Sequence, residues 1–413
     1  MRYVVIGASA AGVNAVRELR RLQPDAKILL VSKDEEIYSR CILHHYMGGI
    51  RTKKELMFVE EDFETRYKVD WMRGVACTGL DVHEKRVCLS QGAGPSYLSY
   101  DKLLLAAGSR TFLPSVEGLR EAGGVFGFRN MEDVEQIVEA SAAASHIVVM
   151  GGGLTGMDCV AGFLHMGKSC SLVELEERLL AKQLDERSAS AYQKAFEEKG
   201  VSFYLRTGIS RVCRDGKGAV ASLILTDGRE LPCDLLVVTA GVRSNIEFLR
   251  DTGIACDNCG LLIDQYGQTN VPDIYGAGDI TGRSPIWPAA VKQGMVAASN
   301  MAGVRTTEDA FFASKSTMNF LGIPTMSLGL PVKPDDSYEE ILEDKGELYR
   351  KVIHKNGRIY GAILQGDLSY AGVLTQLIAA KIDVSRVKKP LFEIDYSDFF
   401  HTKDNFEFYY DET

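Results

Sequence analysis

The strongest constraint on this chain is the stretch from His146 to Leu180, HIVVMGGGLTGMDCVAGFLHMGKSCSLVELEERLL. Ile147, Val148, Val149 and Met150 form a continuous apolar run, the pattern of a strand buried on both faces. Gly151, Gly153 and Gly156 follow at G-x-G-x-x-G spacing, then a helical stretch to about Met166 and a second apolar run, Cys170 to Val173, ending on Glu174. This is one βαβ unit. Its glycines permit a tight turn, close approach of backbone to a pyrophosphate and close helix–strand packing, and the helix N-terminus offers free N–H groups to phosphates. Glu174 lies 23 residues after Gly151, where an acid binds both hydroxyls of an adenosine ribose and repels a 2′-phosphate. The unit predicts dinucleotide binding, with NAD preferred to NADP. A glycine-rich turn in some other α/β protein is the bland alternative, and it leaves the terminal acid unexplained.

A second copy of the unit opens the chain. Tyr3 to Ile6 reads as a buried strand, Gly7-Ala8-Ser9-Ala10-Ala11-Gly12 as a phosphate turn, Val13 to Leu22 as an amphipathic helix and Lys27 to Val31 as the next strand. Ser9 replaces the middle glycine and is small enough to let backbone approach a phosphate. Where an acid would hold the ribose, this chain has Ser32-Lys33, with Asp34, Glu35 and Glu36 just beyond. Two such units imply two dinucleotides, or one fixed and one exchanging.

Around these units the chain of 413 residues is long enough for two or three domains. A net charge of −9 argues against a nucleic-acid partner held through phosphates. MRYVVIG is already a strand, leaving no stretch for a signal peptide, and no apolar run reaches the ~18 residues of a membrane span, so a cytoplasmic enzyme is the expectation. Most of the nine cysteines sit singly inside apolar segments, and their odd number and scatter are unlike a secreted disulfide framework. Val69 to Leu89 reads as short strands, Tyr100 to Gly108 as a strand entering a small-residue turn, and Leu235 to Gly241 likewise. Asn270 to Asp279 gives a strand, a glycine turn and an acid, and Trp287 to Met301 a helix whose start can face a cofactor. From about Thr306 the alternation changes to that of antiparallel strands, with a hairpin at Asn356-Gly357 and a helix at 371–380. The last 23 residues hold eight aromatics and seven acids; docking on their own domain is the plain reading, covering a partner surface or the active site the sharper one.

The GASAAG turn, LLLAAGSR, GGGLTGMD…VELEERLL, TAGVRSN, TNVPDIYGAGDI and YGAILQGD…AGVLTQLI together resemble, in order, the pyridine nucleotide–disulfide oxidoreductases. The similarity is to the branch of NADH oxidases, coenzyme A disulfide reductases, rubredoxin reductases and nitrite reductase flavin subunits. It implies an α/β fold with two Rossmann-like dinucleotide-binding domains, for FAD and NAD, plus a C-terminal α+β interface domain through which a homodimer can form. The implied division is 1–112 with 243–305 for FAD, 113–242 for NAD and 306–413 for the C-terminal domain. FAD is expected on Gly7, Ser9, Ala10, Ala11, Gly12, Ser32, Lys33, Arg40, Cys41, Cys77, Ala107, Gly108, Gly278, Asp279 and Ala290, with Asp279 at the ribityl–phosphate region. NAD is expected on Gly151, Gly153, Leu154, Thr155, Gly156, Asp158, Glu174 and Gly241. No metal is expected. Three departures stand out: Ser32 replaces the acid usual at the FAD ribose, Asp158 a longer glutamate near the nicotinamide, and Ala10 the histidine of NADH oxidases and peroxidases.

Three readings of the acceptor follow. The first is an NADH:acceptor flavin reductase feeding an iron–sulfur protein, for which Tyr38-Ser39-Arg40 resembles the segment of rubredoxin and nitrite reductase units. The second is a disulfide reductase or NADH oxidase using Cys41, whose thiolate would gain from a helix N-terminus and from Arg40. The third is a nucleotide-binding redox sensor or assembly subunit. Cys256-x-x-Cys259 lacks a second pair for zinc and reads as a surface turn, and of His44 and His45 at most one can face the flavin.

Overall fold

A computed structural model describes residues 1–91, 94–283, 285–307, 315–405 and 407–410. Two five-stranded parallel sheets arise from the two apolar strand sets, and each places its glycine-turn strand in the middle. In the first the order is Ile274–Gly276, Lys102–Leu105, Arg2–Ile6, Lys27–Val31, Val69–Met72. In the second it is Ser202–Tyr204, Ser171–Val173, Ile147–Met150, Leu235–Val238, Val125–Gly127. Strands covered on both faces carry no polar alternation: Val4, Val5, Leu104, Val149 and Val237 are fully buried. The central strand of each sheet has neighbours on either side, which opens a crevice at its carboxyl end, where α/β sheets bind ligands.

The helices are α1 Ala10–Leu22, α2 Leu43–Met47, α3 Phe63–Tyr67, α4 Met131–Ser141, α5 Leu154–His165, α6 Glu186–Glu197, α7 Trp287–Met301 and α8 Ala371–Ala379. Helix α7 has the bounds the sequence predicts. α1 begins at Ala10 rather than Val13, because the turn residues after Ser9 already adopt helical backbone. The sequence reading passed over α4, although Asn130 and Asp133 form a capping box there.

The third sheet is antiparallel, in the order Lys315–Phe320, Ile323–Gly329, Arg358–Gln365, Leu348–Lys355, Glu339–Lys345, with the Asn356-Gly357 turn closing the last-formed hairpin. It packs on α6 through a buried polar seam. Asp185 caps α6 by accepting from Ser188 N at 3.0 Å, and also accepts from Tyr349 Oη and from Lys351 Nζ at 3.2 Å. Lys351 reaches Glu340 as well, at 2.9 Å, and Tyr192 Oη donates to the Ile323 carbonyl at 2.7 Å. Of the C-terminal stretch, Leu391 and Ile394 are buried in this domain's core and their carbonyls accept from Tyr370 Oη. Phe406 and residues 411–413 of the aromatic tail lie outside the described residues. Among the described residues no helix is long and apolar enough to cross a membrane.

Candidate functional site

The two glycine turns share one construction. Gly7 and Gly151 have φ of +108° and +111°, a region that costs glycine nothing and other residues a great deal. A Cβ at Gly12 would lie 1.8 Å from the Gly7 carbonyl oxygen, and one at Gly156 would lie 1.9 Å from that of Gly151. In each case the helix therefore starts against the turn's own first carbonyl. At the middle position a Cβ on Gly153 would meet nothing within 4 Å, so open space lies before the start of α5. The N-caps Ser9 and Gly153 make no side-chain capping bond, whereas Asn130 and Asp185 cap α4 and α6. Free N–H groups at the positive end of a helix suit a pyrophosphate, and the helices after the glycine turns keep theirs. Thr239 Oγ1 donates to the Met150 carbonyl at 2.9 Å and holds the second turn to the neighbouring strand, while the Gly241 carbonyl accepts from Phe112 N at 2.9 Å.

At the far end of each unit the two differ. The Glu174 carboxylate accepts from Gly152 N and, at 2.9 Å, from Glu176 N, which fixes it beside the second turn with Leu154 and Thr155 opening α5 close by. In the first unit Ser32 Oγ donates to the Asp34 carbonyl and accepts from Trp71 Nε1 at 2.9 Å. A hydroxyl has one donor and two acceptor positions, so Ser32 retains a single acceptor for any ribose. Lys33 and Glu35 are exposed, and Asp34 is taken by Arg40. Cys77 follows Val75, whose N donates to the Ser32 carbonyl at 2.7 Å, and burial pushes its thiol up to about 12.

Beside the first unit the chain packs helix α7 and the 278–279 turn. Helix α7 crosses α1 so closely that a Cβ at Gly294 would lie 2.2 Å from the Ala11 carbonyl oxygen. The same crossing sets Gly278 beside Ala11 and Ala290, with Gly278 N donating to Gln293 Oε1 at 2.8 Å. Asp279 next to it accepts from Ser109 Oγ at 3.0 Å and pairs with Arg129. Ala107 and Gly108 are tied in by Asn245, whose Nδ2 donates to the Ala107 carbonyl at 2.9 Å. Arg129 and Asn245 escaped the sequence reading. The capping-box pattern at Arg129-Asn130 was the available signal, and it marks a helix start without indicating that the arginine reaches Asp279. The Arg129 Nε is buried with no partner among the described residues. Together with the uncapped α1, that unfilled donor fits an anionic, acceptor-rich group such as FAD.

Arg40 does not act on Cys41. Its guanidinium bonds Asp34, Tyr38 Oη at 3.1 Å and the Arg129 carbonyl at 3.1 Å, which joins the 34–40 loop to the start of α4. Cys41 lies in a 3₁₀ turn, open to solvent but crowded by protein atoms. Burial, then Asp158, push its thiol up to about 11, with Arg129 opposing and Asp279 adding to the rise. The expected lowering by a helix N-terminus and Arg40 is not met, because the turn is too short and Arg40 is engaged elsewhere. Asp158 lies within electrostatic reach of Cys41, and burial holds its carboxyl well above the usual carboxylate range. Cys256 and Cys259 are exposed in a turn whose Asp257 side chain accepts from Cys259 N at 2.8 Å. A separate groove of about 820 Å³ is lined by Glu117, Arg120, Arg211 and Arg214, and Arg211 is already paired with Glu117.

Residues 1–294 match the pyridine nucleotide-disulphide oxidoreductase family, and residues 315–382 match the rubredoxin NAD+ reductase C-terminal domain. The chain belongs to that family, whose members are flavin-dependent NAD(P)H oxidoreductases that bind FAD and NAD(H). The assimilatory nitrate reductase electron transfer subunit of Bacillus subtilis (strain 168) is 26% identical over 400 residues, which are 95% of this chain and 51% of the relative. The chain thus spans about half the length of that protein. The NADH-dependent phenylglyoxylate dehydrogenase subunit epsilon of Aromatoleum evansii is 27% identical over 401 residues, covering 94% of this chain and 93% of the relative. An NAD-dependent persulfide reductase from A. fulgidus superposes with a TM-score of 0.83 at 25% identity, covering 92% of this chain and 77% of that one.

Proposed function

We propose that this chain takes hydride from NADH onto bound FAD and passes the electrons to a protein acceptor, an iron–sulfur protein first among the candidates. The observation that carries this reading is the pair of glycine-turned helix N-termini without side-chain caps, with an acid fixed at the second alone. FAD, when bound, supplies hydride acceptance at N5 and onward release of one or two electrons. The chain's part is to bind and orient. Gly7, Ser9, Ala10, Ala11 and Gly12 hold the FAD pyrophosphate, and Asp279, paired with Arg129, holds its ribityl end. Gly151 to Gly156 hold the NADH pyrophosphate, and Glu174 its adenosine ribose. The same reading divides the chain into 1–112 with 243–305, 113–242 and 306–413; the pairing of Ile274–Gly276 beside Lys102–Leu105 supports the discontinuous first part. The match of residues 315–382 to a rubredoxin reductase domain, and relatives named as electron-transfer subunits, favour a protein acceptor.

The test is the purified protein under anaerobic conditions. A yellow flavin spectrum bleached by NADH is expected, and turnover should be fastest with rubredoxin or ferredoxin in a screen that includes small disulfides and oxygen. Colourless protein that cannot be reconstituted with FAD would sink the reading. A second reading, disulfide or persulfide reduction at Cys41, is favoured by the open Cys41 side chain and the persulfide reductase relative. Disulfide turnover that disappears in Cys41→Ser, while NADH still bleaches the flavin, would establish it.

A further inference from the structure

Where α2 meets α5, the two helices share a side-chain pair to which the reading above gives no task. The helices are in contact close enough that a Cβ at Gly162 would lie 2.8 Å from Met47 Sδ, and one at Gly48 would lie 2.5 Å from His165 Cβ. This packing sets His44 Nδ1 3.5 Å from Asp158 Oδ1, with both side chains largely withdrawn from solvent. His44 Nδ1 is buried without a hydrogen-bond partner, and no other described side chain pairs with the Asp158 carboxyl. A buried, unpartnered imidazole nitrogen thus faces a partly exposed carboxyl, and that carboxyl acts on Cys41.

The surroundings decide how this pair is charged. His45 on α2, Arg51 just after it and His165 at the end of α5 all oppose a positive charge on His44, and burial opposes it most of all. His44 is pushed down to about 3 as a result. On the other side of the pair no lysine or arginine pairs with Asp158, and burial favours its protonated form. An ion pair here would place a charged, buried imidazole among His45, His165 and Arg51 with no hydrogen bond to satisfy it, which is the costly arrangement. A neutral carboxylic acid donating to a neutral imidazole leaves neither group unpaired, and a small side-chain rotation closes the 3.5 Å gap.

We propose that His44 is a positioning residue for the nicotinamide step: its Nδ1 accepts the proton of an uncharged Asp158, so that this chain presents a neutral acid to the nicotinamide. The inference rests on the reading that NADH binds along α5. Its consequence is electrostatic. Oxidised nicotinamide carries a positive ring, which a carboxylate would retain and a neutral acid releases. The shorter Asp158 and the neighbouring histidine therefore act as one unit, with His44 filling the reach that a longer acid would not need.

The pair is tested first without activity. Infrared difference spectra of the protein, with or without flavin, are expected to show the carbonyl stretch of a protonated carboxylic acid at neutral pH, lost in Asp158→Asn. NAD+ binding is then titrated against pH. Affinity should rise at alkaline pH as Asp158 ionises, by about tenfold; Asp158→Asn should be flat. His44→Ala removes the acceptor that stabilises the neutral acid, so the rise should begin at lower pH, and His44→Gln should restore much of the original onset. Absence of the carbonyl band, a flat NAD+ profile in the unaltered protein, or an His44→Ala profile unchanged from it would each overturn the proposal. If NADH instead fails to bleach the flavin of the unaltered protein, the NADH reading fails, and the infrared band still decides the state of the pair.

Discussion

The two glycine turns are near copies in backbone and opposites in what surrounds them. In the first, α7 lies across α1 in backbone contact and encloses the turn with Gly278 and Ala290. In the second, Gly153 faces open space and a fixed carboxylate waits at the ribose end. A pyrophosphate is recognised by main-chain N–H groups, so the same turn serves both units. On the function proposed above, the covering helix on one side and the single acid on the other separate a nucleotide that stays from one that exchanges.

The largest expected effect breaks the turns one at a time. Gly12→Ala would push a carbon against the Gly7 carbonyl, and the variant should lose FAD on purification and on the order of 3 kcal/mol of stability in denaturant unfolding. Gly156→Ala makes the equivalent clash with Gly151, yet should keep its flavin while anaerobic bleaching by NADH slows by about a hundredfold or more, roughly 2.7 kcal/mol. Equal loss of flavin in both variants would mean that the two sites are not separate. Next in size is Glu174→Ala, for which NADH affinity from stopped-flow bleaching should fall by about tenfold, roughly 1.4 kcal/mol, and NADPH affinity by less. A parallel fall for both nucleotides would remove Glu174 from the ribose.

Smaller effects sharpen the contrast at the first unit. Ser32→Ala strips Trp71 Nε1 of its acceptor and should weaken FAD retention in dialysis by about fivefold, near 1 kcal/mol. Unchanged retention would move the ribose contact away from Ser32. The smallest effect is expected at Cys41. With its thiol held up to about 11, it stays protonated through neutral pH, and a thiolate-dependent step would accelerate as pH climbs toward that value. Turnover with an iron–sulfur acceptor should show no such alkaline rise, and Cys41→Ser should change it by less than about twofold.

The sequence carried the architecture wherever the signal was local and periodic. The apolar strands, both glycine turns, Glu174 and the whole of α7 were legible because period and spacing report directly on burial and backbone. Pairings across the chain were not. Arg129 meets Asp279 across 150 positions, and Tyr349 meets Asp185 across 164. Nothing in the pattern around either residue states who its partner is. Cys41 shows the same limit in reverse: Arg40 is adjacent in sequence but is turned to Asp34 and the Arg129 carbonyl, so proximity along the chain misjudged the thiol's field. The adjacency of His44 and His45 says only that at most one of them faces the flavin, and only the docking of α2 on α5 sets His44 opposite Asp158.

The seam at Asp185 bears on how such proteins exchange parts. One carboxylate ends a helix of the second sheet's layer and also receives Tyr349 and Lys351 from the antiparallel sheet. A recombination event that replaced residues 315–382 with another sequence would inherit the acid without its cation, or the cation without its acid. The first hybrid would carry a buried acid without its cation, a defect of roughly 3–5 kcal/mol that few marginally stable proteins survive. The second would keep Lys351 paired with Glu340, so the module travels more easily out of this chain than a foreign one travels in beside Asp185.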